Sequence, residues 1–172
     1  MNNPDDARQA RLAVIVSRDA LVAVGLAPED LADPDARAVA IRAEHAALDR
    51  SVARGTDRVS VDDSDANTLH LTMHEIVANQ LADDDPPEVN ETAQRLLAAG
   101  YDRHEVVHML AAAVSGQIHA TLTAGTPYDH AGHVAALRAL PASWERERAR
   151  QQLETSDRRR ARTGRSARRR RP

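Results

Sequence analysis

Residues 69–77 read Leu-His-Leu-Thr-Met-His-Glu-Ile-Val, and the period of this stretch decides the fold. At about 100° per residue with His70 at zero, Leu69, Met73, Ile76 and Val77 gather at roughly 240–340°, the apolar stripe of a helix. His70 and His74 fall at about 0° and 40°, on the edge of that stripe, where one helix meets the next. The geometry returns in Arg103-His104-Glu105-Val106-Val107-His108. With His104 at zero, His108 lies near 40°, beside Val107, Leu110, Val114 and Ile118 at roughly 240–320°. Two helices that each present histidines at i and i+4 can bring four imidazoles to one seam.

Working outward, the punctuation is helical throughout. Apolar residues recur at three- and four-residue steps over 5–24, although the β-branched run within Leu12–Ser17 also admits a strand. Pro34 opens a helix through Ala38, Ile41, His45 and Leu48 that ends near Gly55, and Val59–Val61 admits a brief extended piece. The first histidine helix spans about 66–82 and is broken by Asp83-Asp84-Asp85-Pro86-Pro87, with Asp85 expected as N-cap and Pro86 as N1 of the next. That helix ends at Gly100. Asp102 with Glu105 forms a capping-box pattern for the second histidine helix, which runs to about Ala124 before Gly125. A further helix starts at Asp129, and Pro141 separates it from the charged stretch 143–154. The expectation is one all-α domain over 5–154, a bundle of five to six helices. Residues 155–172, rich in arginine, serine and glycine, are expected to be a disordered tail.

Composition narrows the chemistry. The 172-residue chain has no cysteine, which removes disulfides, thiolate ligands and thiol nucleophiles. It has no phenylalanine, and its large aromatics are Tyr101, Tyr128 and Trp144, so closely packed helices of small aliphatic residues suit it better than an aromatic-rich sandwich. The apolar run at 12–16 is too short and too closely followed by charge for a signal peptide or a membrane span, and a cytoplasmic location is expected. From Thr155 onward nine arginines face one acid, a balance of +8, which leaves −11 on the rest of a chain whose total is −3. Such a tail could make weak, salt-sensitive contact with nucleic acid, although it lacks interleaved aromatics. The whole chain has no lysine, so compositional bias accounts for the arginines equally well.

The histidines carry the chemistry that can be read. Imidazole suits zinc, copper, iron and nickel, and a four-nitrogen tetrahedral set suits zinc. His70, His74, His104 and His108 are the expected metal ligands, with zinc the expected ion and another first-row transition metal the substitute. Three readings stay open: a small metal-binding protein; a metal-free module that docks a protein partner while the histidines fill the seam; and a zinc-dependent hydrolase. The third rests on His104-Glu105-Val106-Val107-His108, which matches H-E-x-x-H with Glu105 as the base. Four histidine ligands would close the shell and oppose that reading. His119 stands about 16 Å along the axis from His108, too far to share its ion. His130 and His133 form a weaker i,i+3 pair that could supply an outer ligand or a second site, although a solvated helix end explains them as well, and His45 has no visible partner and is read as a surface or seam residue.

Over about 66–144 the chain resembles an uncharacterised bacterial family, domain of unknown function 1841. The likeness rests on Leu69 through Glu75, on Asn79-Gln80 followed by Asp85-Pro86-Pro87-Glu88, and on Arg103-His104 through His108-Met109. The resemblance implies a small helical protein with a His-x3-His in each of two helices. The glutamate inside the second motif is not part of that pattern, and no activity is carried over.

Overall fold

A computed structural model describes residues 4–53 and 64–168, with side chains described over 6–47 and 68–156. The described residues are all-α, and they divide into a unit ending at Arg138 and a second beginning at Ala139. The first unit holds α1 (Pro4–Leu12), α2 (Arg18–Ala23), a 3-10 turn (Pro28–Ala32), α3 (Pro34–Ala53), α4 (Ser64–Asp83), α5 (Pro87–Ala98), α6 (Arg103–Ala124) and α7 (His130–Arg138). The second holds α8 (Ala142–Arg168). No helix among the described residues is long and apolar enough to cross a membrane. The extended piece expected at Val59–Val61 lies outside the described residues.

α4 is the hub of the first unit, packing against α1, α3, α5 and α6. That explains why its C-terminal half is buried on several sides, with Val77, Ala78, Leu81 and Ala82 all at 1% exposure or less. Alanine allows neighbours to come close there. Leu69, counted in the apolar stripe from its period, is instead 63% exposed. The stripe begins to be covered only toward His74.

Polar ties fix how α3 and α6 lie against the hub. Arg37 is buried and donates to the carbonyls of Leu31 and Ala32 and to Asn79 Oδ1. Arg42 pairs with Glu75 at 3.8 Å, and His45 meets His74. Residues 37, 42 and 45 thus face 79, 75 and 74, so α3 and α4 run antiparallel. Across the other seam His70 meets His108 and His74 meets His104, which makes α4 and α6 antiparallel too.

Two local expectations are corrected. The helix expected over 5–24 is broken: α1 stops at Leu12, and residues 13–15 form a turn rather than helix or strand. Val14, Ile15 and Val16 are consecutive and all buried, which no single helical face can satisfy. Ser17 then caps α2, its hydroxyl accepting from the Ala20 N–H at 3.1 Å. The second correction concerns Asp85. Its N–H is spent on the Gln80 carbonyl at 3.0 Å, closing the end of α4 behind Asp84 at φ 55, so it belongs to a C-terminal cap. The N-cap of α5 is Pro86 and the first helical residue is Pro87, each one position later than expected. Gly100 and Gly125 stand at positive φ just past α5 and α6, as read from their positions.

The second unit begins at Ala139, and its helix α8 spans Ala142–Arg168. Its described surface is laced by Arg150–Glu147 at 2.9 Å and Gln151–Glu147 at 3.1 Å, exposed pairs worth little individually.

Leu81 is fully buried on α4. Leu81→Ala should lower the unfolding free energy by about 2–5 kcal/mol in urea or thermal denaturation. A loss of a few tenths would mean that α4 is not the core of the bundle.

Candidate metal centre

The centre is built from three helices, α3, α4 and α6. Each is started by its own signals, and α6 most clearly: Asp102 accepts from the N–H of His104 at 2.8 Å and of Glu105 at 3.4 Å. This sets the helical phase at its first turn and aims His104 and His108, one turn apart, at α4. α4 presents His70 and His74 on the facing side. α3 adds His45, which was read from sequence as a lone surface or seam residue.

All five rings touch. Centroid separations within the helical pairs are 4.6 Å for His70–His74 and 4.4 Å for His104–His108. Across the seams they are 4.4 Å for His45–His74, 4.8 Å for His45–His70, 5.2 Å for His45–His104, and 5.0–5.4 Å for the contacts between α4 and α6. His74 sits in the middle. It is 3% exposed, its ring contacts all four others, and its Nδ1 lies 2.9 Å from His45 Nε2. Its other nitrogen, Nε2, is buried with no hydrogen-bond partner among the described residues.

Donor atoms fall into two groups. In each, one ligand atom per residue lies within 4.8 Å of the others: His45, His74 and His104 form one, and His70, His74 and His108 the second. In a tetrahedral zinc site, bonds of about 2.0–2.1 Å place donors roughly 3.3 Å apart, so each group needs only a modest contraction. The four histidines expected as ligands are therefore brought together, and a fifth joins them. His119 is exposed and belongs to neither group. His130 and His133 are also outside both, and the expectation of a solvated helix end fails for His133. Its ring is fully buried, with Nδ1 2.8 Å from the Tyr128 hydroxyl. Glu105 lies half-buried in the first turn of α6.

Burial makes these rings ready ligands. It pushes the His74 pKa down to about 2, with the neighbouring imidazoles adding to the effect. Burial also lowers His108, to about 4, again reinforced by His104, His70 and His45. His104 is lowered for the same first reason, although Asp102 and Glu44 pull the other way. Neutral imidazole is the form that binds a cation.

Glu44 adjoins His45 in sequence but is occupied elsewhere. It accepts from the N–H and hydroxyl of Ser17 and from Arg103 Nη2, next to His104. Burial pushes its carboxyl up, but these bonds and the Arg103 charge outweigh it and hold the pKa below the usual value. The Ser17–Glu44–Arg103 tie locks α3 to α6 one residue away from His45 and His104.

A family model described as Domain of unknown function (DUF1841) matches residues 29–139, and the chain belongs to that family. The match starts well before the span of about 66–144 suggested by the motifs and takes in α3 with His45. No curated protein and no solved structure matches the chain.

The lowered values set a pH dependence for metal-stripped protein. The unfolded histidines titrate near 6.5, while in the fold His74, His108, His104 and His133 hold their protons less well. Below about pH 6.5 the unfolded chain therefore binds more protons. Stability is fully present above that value and is lost progressively as pH falls toward 4 and below. The melting temperature should fall by on the order of 5 °C or more between pH 7 and 5, whereas a flat profile would show that the rings are solvated.

Proposed function

We propose that the protein binds a transition metal through its histidine centre, with zinc the expected ion. The observation that carries this reading is the convergence of five imidazoles from three helices in a seam where His74 is buried with one ring nitrogen unsatisfied. Leaving such a nitrogen without a partner costs about 1–3 kcal/mol. A cation bound there converts that cost into a bond, and it relieves the neighbouring rings of the need to find donors and acceptors in one another. The donor set is all imidazole, which favours zinc, copper or nickel over the oxygen-seeking magnesium, calcium and manganese. With His45 added, the ligands no longer reduce to one closed four-histidine shell. Each group of three leaves a coordination position for water or another ligand, a feature shared by catalytic zinc sites.

Elemental analysis of protein purified without a histidine tag tests this directly. The expected result is stoichiometric zinc or copper that is lost in a His74→Ala, His108→Ala variant and retained in His119→Ala. Chelator should lower the melting temperature of the native chain by several degrees, since bound metal stabilises the fold by mass action. Metal-free protein that takes up no zinc, copper or nickel at micromolar concentration, and whose melting ignores chelator, would remove the proposal and favour the metal-free interaction module.

A further inference from the structure

The two ligand groups share one residue. His74 belongs to both, and an imidazole has two nitrogens whose lone pairs point away from each other across the ring. Nδ1 is turned to His45, at 2.9 Å from its Nε2. Nε2 occupies the opposite edge, buried and without a hydrogen-bond partner among the described residues. The remaining rings divide between the two groups, His45 and His104 in one and His70 and His108 in the other. A single ion can take only one nitrogen of His74. It could complete one group and would leave the second group with an unused donor set.

We infer that the centre holds two divalent late first-row cations bridged by His74, one held by His45, His74 and His104 and the other by His70, His74 and His108. This rests on metal binding at the same cluster and goes beyond it in number and connectivity. Each ion has three nitrogen ligands and at least one open position. Binding the second ion displaces the remaining N–H proton of His74 to solvent, so the bridge is an imidazolate. The added positive charge is met by acids already placed: Glu44, next to His45 and bonded to Ser17 and Arg103, and Asp102, two residues before His104 at the start of α6. Two bonds of about 2.0–2.1 Å on opposite sides of one ring put the ions roughly 6 Å apart.

The test uses the full-length, tag-free chain, stripped with chelator and titrated separately with Zn²⁺ and Cu²⁺. The native chain should take up two equivalents of either. His45→Ala and His70→Ala remove one ligand from one group each and should keep one tight equivalent, while His74→Ala should lose both. In the copper-loaded native chain an imidazolate bridge couples the two spins. Its paramagnetic resonance signal should fall well below that of two isolated ions, while His45→Ala with one copper gives the full signal of one. One equivalent in the native chain would overturn the shared centre and leave metal binding standing. Two equivalents with uncoupled copper spectra would overturn the bridge. No uptake at all would remove both this inference and the proposal beneath it. The native-chain stoichiometry and spectrum decide the matter even where a variant fails to fold.

Discussion

Five imidazoles packed against one another at a helical seam place a heavy demand on the fold, because each has two nitrogens to satisfy and burial disfavours a proton on His74, His104 and His108. The structure depends on this constraint. Rings at centroid distances of 4.4–5.4 Å must come from backbones held in fixed register, since a one-residue rotation of any of the three helices swings its histidine by about 100° out of the seam. The register is set by polar ties flanking the centre on both sides. Arg37 with Asn79 and Arg42 with Glu75 align α3 on α4, and Ser17, Glu44 and Arg103 align α3 on α6. The apolar layer then seals it, with Val77, Val106, Val107 and Leu110 nearly or fully buried.

Much of this was legible in the sequence, and the reasons for the rest are physical. Regular period and caps gave the long helices. Asp102, Gly100 and Gly125 stand where their chemistry requires, because each acts on its own neighbours in the chain. Failures came where a residue had two suitors. Asp85 reads as an N-cap, but the end of α4 claims its N–H first. The Val14–Val16 run reads as helix or strand, yet its side chains are all buried where the chain passes from α1 to α2.

His45 is the most instructive omission. The other four histidines of the cluster announced themselves by i,i+4 pairing, and His45 has no histidine a turn away. The available signal was different: His45 follows the buried Ile41 by one helical turn, so it takes the place of an apolar residue on a core-facing side of α3. A histidine at such a position must find a polar partner in the interior, and pairing along the helix is only one way to find it. His133 carries the same lesson: fully buried, it pairs with Tyr128 outside the centre.

The absence of carboxylates from the two ligand groups is itself shaped by the surrounding charges. The body of the chain is strongly acidic, so acids are available, and Glu44, Glu75, Asp102 and Glu105 all adjoin or lie near the histidines in sequence. Glu44 is bonded to Ser17 and Arg103, Glu75 is paired with Arg42, and Asp102 accepts from the first N–H groups of α6. The two groups consist of imidazole nitrogens alone. Neutral nitrogen ligands leave a bound dication more electrophilic than carboxylates would, because they donate without cancelling its charge. The acids lie outside both groups, where they would favour a cation electrostatically without filling its coordination sphere. An ion held in this way would keep both its charge and an open position, the combination that lowers the pKa of a bound water or polarises a bound oxygen.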